Sequence, residues 1–164
     1  MNAKQPIIIV DDQDQIIGHK ARGTLAQEDI YRVAALWVTN SKGEILLAQR
    51  SFDKSHVPGK WGPAVAGTVD QGETYGSNIA KETAEEIGLK DIKPTLGPKR
   101  RVSDKYNYFC QWYKLIVDKP AAEFTIQTEE VEQVKWFART DLELDVREHP
   151  EKYLKSLSWM LENL

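Results

Sequence analysis

Cysteine is nearly absent from this chain of 164 residues. One thiol, Cys110, excludes an intrachain disulfide and a cysteine-built zinc site. The three histidines, His19, His56 and His149, stand too far apart in sequence to suggest a histidine metal cluster. Long apolar runs are missing as well. The run Ile7–Val10 is stopped at once by Asp11 and Asp12, which fits neither a signal peptide nor a membrane span. There is no excess of basic residues: the net charge is −3, so a nucleic-acid partner bound through a basic surface is not expected. Repeats and low-complexity segments are lacking too. These absences leave one domain over residues 1–164, in a reducing cytoplasm. A homodimer is compatible with them.

What is present centres on Gly67–Leu89, GTVDQGETYGSNIAKETAEEIGL. Thr74 can cap a helix, Ile79, Thr83 and Ile87 repeat at i, i+4, i+8 as a narrow stripe for a core, and Gly88 stands where a left-handed cap ends such a helix. The other face carries Glu82, Glu85 and Glu86 at i, i+3, i+4. Like charges at that spacing repel by about 0.2–0.5 kcal/mol per pair, and the helix dipole disfavours anions near a C-terminus by about 0.3–1 kcal/mol each. A helix built only for solubility would carry lysines there. A solvated acidic face is the plain reading, with Lys81 and Lys90 in partial relief, and a hard divalent cation, which takes oxygen ligands, is the sharper one.

Around this stretch the pattern predicts an N-terminal hairpin over 6–19 and a short helix or linker over 20–32. Strands are expected at Val33–Thr39, Glu44–Arg50, Pro63–Val69, Pro94–Val102, Tyr106–Val117 and Val134–Phe137. Residues 51–62 read as an irregular basic loop around Pro58-Gly59, and Thr128–Gln133 as an acidic loop. The strand at Pro94–Val102 contains the basic run Lys99-Arg100-Arg101. Thr140 is expected to cap a short helix, and Leu154, Leu157, Leu161 and Leu164 suggest a final amphipathic helix over Glu151–Leu164. The fold class is α/β (α+β), one long helix packed on a mixed sheet, with residues 1–30 as a hairpin-and-linker extension.

The central stretch resembles the Nudix box: Gly67, Glu73, Glu82, Glu85, Glu86, Gly88 and Leu89 all fall in register. Lys81 stands where arginine is usual and Thr83 where a large apolar residue is usual. Lysine keeps the charge and gives up arginine's planar fork. The resemblance implies an α/β/α sandwich and a hydrolase dependent on Mg²⁺, or Mn²⁺, that cleaves a diphosphate linkage in a small metabolite such as a nucleoside diphosphate derivative. It implies Glu82, Glu85 and Glu86 as metal ligands, with the Gly67 carbonyl as a further one, and Glu73 as the residue that orients them. A general base often lies outside the box in this family. Glu129, Glu130 and Glu132 are the candidates, and Glu130 joins Glu73, Glu82, Glu85 and Glu86 in the catalytic set. Arg50, Lys54 and Lys60 form a cationic loop suited to a diphosphate. Trp61 is either a stacking platform or a packing residue.

The run NSKGEILLAQRSFDKSHVPGKWGPAVAG is also similar to type I isopentenyl-diphosphate isomerases. Those enzymes need a catalytic cysteine and a catalytic glutamate. The overlay places Ala66 at the cysteine and Tyr106 or Tyr108 near the glutamate, with no Glu or Asp between Lys105 and Val117. The isomerase is therefore the alternative reading, and a non-catalytic binding module of the same fold is a second alternative.

Overall fold

A computed structural model describes residues 5–164, so residues 1–4 of the N-terminal extension lie outside the described residues. Among the described residues nine strands form one mixed sheet. They are β1 (Ile7–Val10), β2 (Ile16–Lys20), β3 (Ile30–Thr39), β4 (Ile45–Arg50), β5 (Trp61–Pro63), β6 (Val65–Thr68), β7 (Thr95–Ser103), β8 (Asn107–Ile116) and β9 (Val131–Phe137). The helices are α1 (Tyr75–Ile87), α2 (Arg139–Glu148) and α3 (Leu157–Asn163).

The sheet is organised on β3. One edge of β3 pairs in parallel with β8 from Tyr31 to Thr39. The other edge is shared in turn by β1 at Ile30 and Tyr31, β6 from Val33 to Leu36, and β4 at Val38 and Thr39. Beyond those two pairs β4 exchanges β3 for β5, while β9 pairs along its other edge from Ile45 to Arg50. The sheet therefore forks: β6 stays on β3 while β4 carries a second prong away. Ile45, Leu46 and Leu47 are wholly buried at the root of the fork, as their continuous apolar run predicts.

An apolar core fills each face. Ile79 and Ile87 of α1 pack with Leu36, Val38 and Leu46 on one side. Leu142 and Leu157 of α2 and α3 pack with Trp37, Leu47 and Trp112 on the other. The expected α/β/α layering is thus observed. Helix α1 is capped as its sequence indicates: the Thr74 hydroxyl accepts from the Ser77 N–H and Gly88 ends the helix at φ 73°. Thr83, in the place of a large apolar residue, is fully buried and returns its hydroxyl to the Ile79 carbonyl at 2.6 Å.

Several expected elements differ. Of the short helix or linker expected over 20–32, the linker is observed: the residues between Lys20 and Ile30 form turns, because Thr24 N–H bonds to the Ala21 carbonyl, Ala26 N–H bonds to the Asp29 carboxylate, and Gly23 takes φ 83°. Strand β3 starts earlier than Val33 because Ile30 and Tyr31 pair with β1. The strand expected over Pro63–Val69 is two strands, since the chain changes partner at Ala64, from β4 to β3. Strand β9 starts at Val131, so Glu132 and Gln133 lie in a strand and not in a loop. Thr140 lies inside α2 and does not cap it. The helix expected over Glu151–Leu164 is a 3₁₀ turn followed by the short α3. Tyr153 is diverted into a β-bridge with Trp61, and Leu154 donates its N–H to the Trp61 carbonyl at 2.9 Å. The first leucine of that series is therefore spent on β5.

Candidate active site

The fork opens into a cavity of about 710 Å³. Its wall takes Ala48, Gln49 and Arg50 from β4, Ala66, Gly67 and Thr68 from β6, and Glu82, Glu85 and Glu86 from α1. Strands β7 and β8 contribute Arg100, Tyr108 and Cys110. Size and shape suit a small-molecule ligand.

The box residues are held by a short chain of contacts. Glu73 accepts from the Asp70 N–H at 3.0 Å, the Asn78 side-chain amide at 2.8 Å and Lys81 at 2.6 Å. Burial opposes ionisation of Glu73, and these bonds outweigh it and hold its carboxyl below the ordinary value. Lys81 also lies 3.3 Å from Glu82. A single ammonium thus ties the entry loop to the helix without an arginine fork. Gly67 is required by close approach: a Cβ there would stand 2.5 Å from Glu82 Cγ and 3.0 Å from Asn78 Oδ1.

Deeper in, charge of one sign accumulates. Burial, then the neighbouring carboxylates of Glu82 and Glu130, push the Glu86 carboxyl up to about 8, with Lys54 and Arg50 opposing. Burial also raises Glu82, against the pull of Lys81. Glu130 reaches this group because the loop before β9 is fastened to it. Gln127 N–H donates to the Glu86 carbonyl at 3.0 Å, Ser51 N–H donates to the Glu130 carbonyl at 3.0 Å, and Lys54 pairs with the Glu130 carboxylate at 2.5 Å.

The residues expected in the site therefore divide. Glu73, Glu82, Glu85, Glu86, Gly67, Glu130, Arg50 and Lys54 all line the cavity. Lys60 and Trp61 do not line it, nor do Glu129 and Glu132. Trp61 packs edge-on against Phe137 at 5.2 Å, which makes it a packing residue. Arg22, Arg100, Tyr108 and Gln127 also line the cavity and were not expected there. Alternation along β7 could have found Arg100. Lys99 pairs with Asp14 at 2.5 Å, Arg101 lies over Phe109, and the residue between them faces the opposite way. Arg22 and Gln127 carry no pattern that sequence alone distinguishes.

The donor set suits a hard divalent cation. Every candidate ligand is oxygen, the carboxylates repel one another, and the buried Asn78 Oδ1 beside Gly67 has no hydrogen-bond partner. Among the described residues no three His, Cys, Asp or Glu side chains are drawn close enough to enclose an ion by themselves. Mg²⁺ is ordinarily held by one or two carboxylates, with water and substrate phosphate completing its shell.

Residues 30–159 match the NUDIX domain family, so the chain belongs to that family and is a hydrolase of it. An uncharacterized Nudix hydrolase of Pseudomonas aeruginosa is 29% identical over 138 residues, covering 83% of this chain and 79% of its own. The isopentenyl-diphosphate Delta-isomerase of Klebsiella pneumoniae is 30% identical over 96 residues, covering 56% of this chain and 52% of its own. A crystal structure from Deinococcus radiodurans superposes with a TM-score of 0.80 at 22% identity, over 96% of this chain and 98% of that one.

Proposed function

We propose that this hydrolase is dependent on a divalent cation, Mg²⁺ or Mn²⁺, and cleaves a diphosphate linkage in a small metabolite such as a nucleoside diphosphate derivative. The carrying observation is the Glu86 carboxyl, part-buried beside Glu82 and Glu130 and lacking enough positive charge to keep it ionised at neutral pH. Glu82, Glu85 and Glu86 would hold the cation, with the Gly67 carbonyl as a further oxygen donor. When bound, it supplies neutralisation of phosphate oxygens and a lowered pKa for water.

The chain's own residues do the rest. Arg50 and Lys54 set positive charge at the cavity wall, where the diphosphate oxygens would lie. Glu130 sits outside the helix carboxylates and within reach of Lys54, the position of a base that takes a proton from attacking water. Glu73 and Lys81 act through Glu82 and are positioning residues.

The isomerase reading is disfavoured by the wall opposite. Ala66 has no proton to move, and burial pushes both Tyr108 and Cys110 up to about 12, so neither exchanges protons near neutrality. We place the protein in the cytoplasm. Among the described residues no helix is long and apolar enough to cross a membrane.

The test is a panel of diphosphate compounds, including isopentenyl diphosphate, incubated with Mg²⁺ or Mn²⁺ and with chelator. Metal-dependent release of phosphorylated products is expected. Dimethylallyl diphosphate formed at an enzymatic rate, or turnover unaffected by chelation, would overturn the proposal.

A further inference from the structure

The cations of the cavity wall are mostly engaged. Arg22 pairs with Asp70 at 2.5 Å, Lys54 with Glu130 at 2.5 Å and Lys81 with Glu73 at 2.6 Å, while Arg50 donates Nε to the His56 carbonyl at 3.0 Å. Arg100 differs. Among the described residues no carboxylate lies within ion-pair distance of it and no side chain or carbonyl accepts from it. Its guanidinium lies over the Trp159 ring at 4.4 Å, and the strand register sets it across from Cys110. Tyr108 and Cys110, on which its charge acts, are pushed up to about 12 by burial and are both neutral at physiological pH.

A part-buried cation without a counter-charge recovers only part of its lost hydration from an aromatic face. The aromatic face fixes the plane of the guanidinium and leaves its N–H fork unused, ready for a planar pair of oxygen acceptors. The wall beside Arg100 is not polar. Trp112, whose ring lies 6.0 Å from that of Trp159, belongs with Met160 and the small, buried Ala35 to the core on which Trp159 packs, and all three line the cavity as an apolar flank. The cavity lining thus combines three kinds of surface: the α1 carboxylates with Arg50 and Lys54, an apolar flank, and a solitary arginine.

Resting on the diphosphate reading above, we propose that the substrate carries, beyond its diphosphate, an apolar spacer ending in an anionic oxygen group, carboxylate or phosphate, and that Arg100 receives that group and sets specificity for it.

The test uses alkyl diphosphates of increasing chain length, each ending in methyl, hydroxyl, carboxylate or phosphate. kcat/KM is measured for each, and the Kd of methylene-bridged analogues that resist hydrolysis is measured by calorimetry. Wild type is expected to favour an anionic end over hydroxyl by about tenfold or more at a matching chain length, the size of one charge-assisted contact. The carboxylate and phosphate arms tell which anion is read. Arg100→Met keeps the stem against Trp159 and removes the charge, so the preference should collapse toward unity, and Arg100→Lys should restore part of it. Thermal melts of both variants report folding. Binding by wild type that ignores the terminal group at every length would overturn the proposal, as would an equal loss for methyl and anionic ends in Arg100→Met. Discrimination in binding with no hydrolysis of any compound would instead refute the hydrolase reading and leave Arg100 as assigned.

Discussion

Replacing Glu86 by glutamine should destroy activity and at the same time make the metal-free protein more stable. The wild-type carboxyl stands at about 8 in the folded chain against an ordinary value of 4.5. Between those values the folded state binds the proton that the unfolded state has released, so stability falls as pH rises, and above pH 8 the whole loss is in place. At about 1.4 kcal/mol per pH unit the interval corresponds to about 5 kcal/mol, and solvent reaching the part-buried side chain reduces this to about 2–5 kcal/mol. Glutamine has nearly the same shape and no charge to desolvate, and it also relieves Glu82. In chelator at pH above 8 the variant should therefore melt about 4–15 °C higher than wild type, with the gap closing toward pH 5. Calorimetric melts at both pH values measure this directly. A variant that melts at or below wild type at high pH would refute the claim that Glu86 is an uncompensated buried acid, and with it the main argument for a cation there. Turnover should fall about 10²-fold or more in the same variant.

Other outcomes follow from the same geometry. Gly67→Ala puts a methyl group 2.5 Å from Glu82 Cγ; the flexible glutamate must swing aside, so kcat should drop about tenfold or more while the melt changes little. Glu130→Gln should lower kcat by about 10² or more with a smaller change in KM, read from steady-state kinetics across pH. Asp14, which accepts from Arg32 at 2.7 Å, Lys99 at 2.5 Å and Tyr75 at 3.0 Å, fastens the N-terminal hairpin to α1 and β7. Burial opposes its ionisation, and those bonds outweigh it and hold the carboxyl below 3.8. Its stabilisation is therefore present above about pH 4 and lost as pH falls through the lowered value. Asp14→Ala should cost about 3 kcal/mol in denaturant titrations at neutral pH.

The α1 stretch was legible because its signals are local: a cap, a stripe and a stop, each fixed by neighbours within two turns. The carboxylate face was legible because it defies what a solvated helix prefers. The C-terminal leucines misled, since their spacing fits a helix while Tyr153 and Leu154 pair with Trp61 from a distant part of the chain. The break at Ala64 is equally invisible, because both halves have strand character and only their partners differ. Glu130 could not be told from Glu129 and Glu132 without knowing that Val131 is buried against β4 and that the preceding turn is bonded to Glu86. Arg100 needed only the alternation of a strand, applied to a basic run that otherwise reads as surface.

The fork in the sheet has a consequence for how such a molecule can change. Strand β6, with α1 behind it, touches the rest of the sheet through β3, whereas β4, β5 and β9 form the other prong. Mutations that reshape the β4 prong or the β7–β8 wall can therefore alter which molecule is admitted while leaving the carboxylate helix in its seat. Selection for a new substrate has its freest play on the β7–β8 wall, because the β4 prong, joined to the rest at the buried root formed by Ile45, Leu46 and Leu47, also seats Arg50, Lys54 and the proposed base Glu130.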